Sequence, residues 1–464
     1  MIARLVSFAA MHTPFRFREA SAGDWRAGWV SAVVMLPQTV VLATLAGMPP
    51  ETGVYTSVFP VIVAALLGAS PRLLSGPNTA LAVMLAAALT PLATPNSAEY
   101  VALALSLTAM VGLMQLLAAA ARLGRLFDAM PDSIVHGVTL GVGCVILITQ
   151  LPAIFGILTV PGEAPWVSLW HAIAGLPRLN AFALAVAAVS ILAALASRRL
   201  RMVQGTLLVV ALGSGTVLAL LLDGLVGSAT TNLDRVGHMA LRLLPVSLPR
   251  FSWDQFYVLK ELLQSALAIA MIGALQTVII ARSICSPHGE KSDPNRELLA
   301  QGLGNTVASL TSGFAGSGSF NRSAAHVNAG ARSPWAAVLS AVILFGVVFA
   351  AGGLLALVPA AAMAGALVLV GWGLIRSTPF RTIRSDGKYS LPATLAVAIL
   401  VVASGLEAAV FWACAVGLAV TVWQRAREHR PQNAGDDPPP PGSPTASAPR
   451  PRATRRSGRK SRPA

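Results

Sequence analysis

An all-α, polytopic membrane fold is the class this sequence predicts, and three observations predict it. Of 464 residues, 55% are hydrophobic and 11% charged, less than half the roughly 25% charge with which a water-soluble domain covers its surface. Mean hydropathy is +0.67. Uncharged apolar runs recur along most of the chain at about the 20-residue length that crosses a hydrocarbon core.

The elements follow in order. Residues 1–25 contain only a short apolar stretch, Leu5 to Met11, too short for a cleavable signal or a span, and read as an N-terminal cytoplasmic segment. The next runs are Trp29 to Gly47, Tyr55 to Leu67, Asn78 to Thr90, Tyr100 to Ala121, Ser133 to Phe155, Ala181 to Ala196 and Thr206 to Val226. Seven more read as Leu259 to Ile280, Leu298 to Phe314, Phe320 to Gly330, Trp335 to Leu354, Leu355 to Leu374, Ser390 to Ser404 and Leu406 to Val422, giving about 14 segments. The transmembrane domain so defined covers 26–424, as repeat one (about 26–227) and repeat two (about 255–424). Residues 425–464 are rich in Pro, Ser and Ala, with Pro438 to Pro441 consecutive, and lack the apolar side chains that would offset chain entropy. A disordered basic tail is expected there.

Charge orients these segments. With the N-terminus inside, Arg72, Arg122, Arg125, Arg198, Arg199, Arg201, Arg282, Lys291, Arg296, Arg332 and Arg376 all fall on the cytoplasmic side, whereas the connections 94–99 and 161–165 contain no Lys or Arg. The exception is Asn232 to Asp254, which carries Arg235, Arg242 and Arg250 and is long enough for a small amphipathic external element. From Gln424 onward ten Lys/Arg face three acidic residues, nearly half of the net +15. Beside a membrane such a tail meets anionic lipid and fixes topology, so lipid and not nucleic acid is its expected partner. The expected location is the cell inner membrane, multi-pass, with both termini cytoplasmic. Cys144, Cys285 and Cys414 are odd in number and widely separated, so no disulfide framework or zinc site follows.

Two segments are too short. Asn78 to Thr90 and Phe320 to Gly330 rise only about half of a 30 Å hydrocarbon core. Each follows a helix-breaking run, Ser75-Gly76-Pro77 and Gly316-Ser317-Gly318-Ser319. Irregular backbone at membrane depth is tolerated only where protein or a cavity covers it, and paired broken helices in corresponding positions point to a transport site. An odd number of spans per half inverts the second copy, so both half-helix N-termini face the midplane. Each carries about +0.5 charge and unpaired N–H groups, and Arg322 lies in the first turn of the second. That constellation suits an anion. The bland alternative is close-packing Gly/Ser loops with Arg322 on a protein carbonyl. His326, one turn further, is either a pH-sensitive neighbour of the anion or a hydrogen-bonded structural histidine.

These residues resemble a known family, the SulP sulfate permeases, over roughly 22–424. The resemblance rests on Ala27-Gly28, Leu36-Pro37-Gln38, Leu45 to Pro50, Gly53 to Pro60, Gly68-Ala69-Ser70, Ser75-Gly76-Pro77, Glu297 to Asn305, Gly318 to Ala324 and Ala329 to Arg332. It implies a 7+7 inverted repeat, a core domain (segments 1 to 4 and 8 to 11) moving against a gate domain, and a homodimer. It also implies a small inorganic anion, sulfate or a bicarbonate-like oxyanion, held between segments 3 and 10 by Gln38, Leu42, Asn78, Thr79, Gln276, Ser319, Phe320, Asn321, Arg322 and Ser323.

The chain departs from the family at three places. Segment 8 carries Gln276 where relatives commonly have an acidic residue associated with cation coupling, so coupling at that position is not expected. Leu42 and Asn78 replace residues that are often aromatic. Relatives commonly continue into a STAS regulatory domain, where this chain has only its basic tail. Carboxylate pairs, His/Cys clusters and Ser-His-Asp sets do not occur inside the spans, so an enzyme would lack its acid and base groups; no cofactor or metal is expected. A nucleobase-type permease of the same fold, or a non-transporting scaffold or motor, are the alternatives. Gln276 and Arg322 argue against the first; anion flux separates the second.

Overall fold

The structure, a computed structural model, describes residues 20–404 except 129–131, 158–163, 198–203, 236–240, 244, 249–255, 286–289, 291, 379, 381–382 and 384–389. The expected fourteenth segment, residues 1–19 and the tail 425–464 lie outside the described residues, as do the side chains of Phe320 and Asn321.

Thirteen helices match the first thirteen expected segments in order. In the first half they are α1 (Ala22–Leu45), α2 (Pro50–Leu67), α3 (Thr79–Leu89), α4 (Ala98–Ala120), α5 (Asp132–Thr149), α6 (Ala181–Ser197) and α7 (Gln204–Val226). In the second half they are α8 (Phe256–Cys285), α9 (Pro294–Leu310), α10 (Phe320–Asn328), α11 (Pro334–Leu355), α12 (Ala360–Ser377) and α13 (Ser390–Ser404). Polar and imino residues set their starts. Ser21 and Asp24 form a capping box on α1, Ser97 caps α4, Asp293 caps α9, and Pro opens α2 and α11 at a position whose N–H would be unpaired anyway. Six of the described helices are long and apolar enough to cross a membrane.

Boundaries differ from the sequence reading at several helices, among them α12 and α8. Segment 12 starts at Ala360 instead of Leu355, because Pro359 precedes it in an extended conformation that ends the apolar run's helicity. Helix α8 runs past its apolar limits to Phe256 and Cys285; on the C-terminal side this includes Arg282, a good helix former that a hydropathy limit excludes.

The packing displays the inverted repeat. When α1–α7 are matched to the helices seven places later, most neighbour pairs have a counterpart: α1–α2 with α8–α9, α1–α10 with α8–α3, α1–α11 with α8–α4, α2–α11 with α9–α4, and α6–α12 with α13–α5. The first four pairs of this set build the core from α1–α4 and α8–α11, while α5, α6, α7, α12 and α13 pack on one another as the gate.

Helix α1 runs the length of the core and shows which ends lie together. Beyond the α10 C-terminus, the Ala329 carbonyl accepts from Arg26 Nε at 2.8 Å, and Asp24 Oδ1 accepts the Arg332 and Ser333 N–H groups at 2.9 and 3.1 Å. Arg72 on the same face forms a two-pronged pair with Glu290 and donates to the Ala331 carbonyl. Past α3, by contrast, Asn96 N donates to the Gly47 carbonyl just beyond the other end of α1, at 2.9 Å. The two half-helices therefore leave the centre toward opposite faces.

On the Asn96 face the long connection after α7 holds no amphipathic element among its described residues. It has the short helix Ser228–Thr231 followed by non-helical chain at 241–243 and 245–248. Arg235 is ion-paired with Asp223, and the Arg242 N–H donates to Tyr55 Oη at 2.7 Å. The Arg235 charge is thus offset locally, which accounts for a basic residue on the otherwise Lys/Arg-poor face.

Candidate functional site

The site is built where two irregular segments cross. Residues 74–77 and 316–319 meet as a short antiparallel pair, with a bridge between Pro77 and Gly316. Ser317 N donates to the Gly76 carbonyl at 3.0 Å, and Ser319 N to the Leu74 carbonyl at 3.3 Å. Gly76 has φ +136°, a conformation an L side chain rarely adopts, and a Cβ there would stand 3.3 Å from Arg322 Nη1. Each extended segment then turns into a half-helix, of 11 residues in α3 and nine in α10. Those lengths rise only about 16 and 13 Å.

The two helix starts are dressed differently. Asn78 is the N-cap of α3, its Oδ1 accepting from Ala80 N at 2.9 Å, while its Nδ2 donates to the Gly318 carbonyl at 3.3 Å. Its side chain is therefore a brace between the half-helices. Ser319, the N-cap of α10, makes no side-chain capping bond. The first turn of α10 consequently keeps its N–H groups for another acceptor.

Arg322 stands in that first turn. Its side chain is 1% exposed, and Nε, Nη1 and Nη2 all lack a hydrogen-bond partner among the described residues. Among the described residues no carbonyl accepts from this guanidinium. A mid-membrane Arg costs at least about 2.5–3.5 kcal/mol, a cost that negative charge brought to it would offset.

The other sequence-chosen residues fall around this point. Ser323 is fully buried and accepts the Leu74 N–H at 2.8 Å, so it ties α10 to the crossing segment. Gln276 on α8, 6% exposed, accepts from Ser317 Oγ at 3.0 Å. Thr79 opens α3 and is half-buried; Gln38 on α1 is half-buried, and Leu42 one turn later sits in the apolar core. Phe320 and Asn321 contribute backbone to the first turn of α10.

A polar scaffold behind the crossing was not singled out from the sequence. Gln301 Nε2 donates to the Gly316 carbonyl at 2.8 Å, and its Oε1 accepts from Ser75 Oγ at 3.0 Å. Asn305 grips Gly316 from both sides, accepting its N–H at 2.9 Å and donating to its carbonyl at 3.2 Å, and also donates to Gln115 Oε1 at 2.8 Å. Thr277 Oγ1 accepts the Gly318 N–H at 3.1 Å. Helices α4, α8 and α9 thus hold one loop at mid-depth, where each buried polar group left unpaired would cost about 1–3 kcal/mol. The available signal was the i, i+4 spacing of Gln301 and Asn305 on one helix face. His326, fully buried, is hydrogen-bonded through Nδ1 to Ser31 Oγ at 2.7 Å. Its Nε2 is buried without a partner among the described residues.

A cavity of about 400 Å³ lies between core and gate on the Asn96 face, lined by Thr44, Thr94 and Asn96 from the core side and Gly156, Ala183 and Ala361 from the gate side.

The chain is similar to several known proteins. A probable sulfate transporter of Mycobacterium tuberculosis is 30% identical over 396 residues, 84% of this chain and 68% of the relative. The bicarbonate transporter BicA of Synechocystis is 27% identical over 393 residues, 82% of this chain and 66% of BicA. The solved transmembrane domain of a cyanobacterial BicA superposes with TM-score 0.72 at 25% identity, covering 85% of this chain and 98% of that one. The overall structure of SLC26A9 shares the fold, with TM-score 0.75 at 18% identity over 91% of this chain and 69% of that one. Residues 22–388 match the sulfate permease family itself, and the chain belongs to that family.

Proposed function

We propose that this chain is a secondary transporter of small inorganic anions, sulfate or a bicarbonate-like oxyanion, which binds them at the crossing of residues 74–77 and 316–319 and moves them by alternating access. One observation carries this reading: a fully buried Arg322 without a protein partner, at the uncapped start of a half-helix. The sulfate and bicarbonate transport named for its relatives agrees with it. Arg322 supplies the charge and the α10 N–H groups supply donors. Gln38, Leu42, Asn78, Thr79, Gln276, Ser319, Phe320, Asn321 and Ser323 form the surrounding wall or its support. The core carries the anion past the gate, and the cavity beside Thr44 is its approach from the Asn96 face. The working unit is a homodimer in the cell inner membrane with both termini cytoplasmic.

Purified protein in liposomes is expected to take up radiolabelled sulfate or bicarbonate with saturation, and each unlabelled anion is expected to compete. Uptake no greater than in protein-free liposomes, with no anion of a panel raising the thermal midpoint, would overturn the proposal.

No cation is coupled at α8, because the amide of Gln276 accepts from Ser317 without ionising. Gln276→Glu keeps the acceptor and adds a titratable carboxylate. Its uptake is expected to become dependent on pH or Na⁺ where wild type is not. An unchanged dependence in the variant would count against the assignment.

A further inference from the structure

The segment between α5 and α6 contains a ten-residue helix, Pro165–Ala174, that the transport reading leaves unused. Pro165, Ser168 and Ala172 face inward and are buried. The opposite face carries Trp166, Leu169, Trp170 and Ile173, which are 54%, 39%, 67% and 55% exposed, followed by Leu176 at 48% in the next turn. Positions 166, 169, 170 and 173 are spaced as one stripe of an α-helix. A water-exposed stripe of two tryptophans and three aliphatic residues is a large unfavourable surface. At about 15 Å the helix is too short to cross a bilayer.

From these observations we infer that this helix lies flat in the phospholipid interface of the leaflet on the Asn96 face, its apolar stripe sunk toward the acyl chains. Continuity identifies the occupant. The helix leads through Leu176–Arg178 to α6, whose Leu184 and Leu192 are 37% and 62% exposed, and α6 packs on α7, whose Leu221 and Leu225 are 59% and 80% exposed. The stripe extends that outward-facing apolar surface at its rim. Tryptophan rings favour this depth because the indole N–H stays near water while the ring is in hydrocarbon, and Arg178 follows where a guanidinium reaches lipid phosphate. The helix packs on α5 of the gate, and the chain that follows it is tied down where Asn180 N donates to the Phe155 carbonyl at 2.9 Å and Asn180 Nδ2 to the Thr231 carbonyl at 2.9 Å. It therefore fixes the depth of the gate in the bilayer, the frame against which the core moves.

Fluorescence of the full chain in phosphatidylcholine vesicles tests this, comparing wild type with Trp166→Phe/Trp170→Phe. The double variant removes two of nine tryptophans. The emission lost on substitution is expected to be the part that acyl-brominated phosphatidylcholine quenches in wild type and aqueous acrylamide does not. If the lost emission is instead the acrylamide-quenched part, the stripe faces water and the inference fails. If neither quencher reaches it, the stripe is covered by protein, such as a second copy, and the inference fails equally.

Discussion

Arg322→Leu is expected to weaken the apparent affinity for a transported anion by roughly 30- to 4,000-fold, the factor that about 2–5 kcal/mol lost from a buried charge contact represents. The same substitution is expected to make the anion-free protein more stable. The guanidinium is 1% exposed with three nitrogens unpartnered among the described residues, so the wild-type protein carries an uncompensated charge whenever no anion is bound. Leucine removes that charge and has nearly the same helix propensity as arginine. Replacing buried ionic groups by apolar ones of similar volume is neutral or stabilising by about 1–4 kcal/mol. Two measurements then move in opposite directions. In a buffer whose only anion is a bulky organic carboxylate, the thermal midpoint of Arg322→Leu should match or exceed that of wild type. On adding sulfate or bicarbonate, the wild-type midpoint should rise and the variant's should not. A variant that is less stable without anion yet retains the anion-induced shift would show that Arg322 holds the fold together, and the binding role would be lost.

The half-helices were legible in the sequence to within a residue or two: Asn78 to Thr90 became Thr79–Leu89, and Phe320 to Gly330 became Phe320–Asn328. Their starts are punctuated by Gly and Pro, whose effect on the backbone is local and does not depend on the rest of the fold. What the sequence could not disclose is which polar groups are consumed inside the protein. Asn78 and Ser323 are polar residues at the right place, but Asn78 spends its amide on Ala80 and Gly318, and Ser323 accepts the Leu74 N–H. Gly318 and Leu74 become their partners only once segments about half a chain apart have crossed. Gln115 was hidden for the same reason. The partner of Gln115 is 190 residues away, at Asn305, and no local pattern announces it. Arg322 differs because charge in an apolar run is conspicuous whatever surrounds it. The boundary between α11 and α12 was missed because hydropathy continues unbroken through Leu354 to Val358 while the helix does not.

Gly316→Ala is expected to abolish transport and to cost several kcal/mol of stability, although it adds one methyl group to a residue that touches no substrate in the reading above. A Cβ at this position would stand 2.5 Å from the Gly76 carbonyl oxygen and 2.9 Å from the Gly76 carbonyl carbon. Both atoms are backbone, so no rotamer change relieves the contact. Nor can Gly316 retreat: Asn305 and Gln301 hold its N–H and carbonyl from behind at 2.9 and 2.8 Å. The crossing segments must therefore part, which breaks the Ser317–Gly76 and Ser319–Leu74 hydrogen bonds. Overpacking accounts for about 1–3 kcal/mol and the two hydrogen bonds for about 0.5–1.5 kcal/mol each. Because those bonds place the start of α10 beside α3, the anion site loses its alignment along with its stability. Gly346 on α11 is the control, since a Cβ there meets nothing within 4 Å. Gly346→Ala gains up to about 1 kcal/mol of helix propensity and should transport as wild type. Thermal denaturation and sulfate uptake of the two alanine variants, side by side, make the comparison. A Gly316→Ala protein with the wild-type midpoint and wild-type uptake would mean that the crossing tolerates separation, and that the half-helix starts need not be held together for the anion to bind.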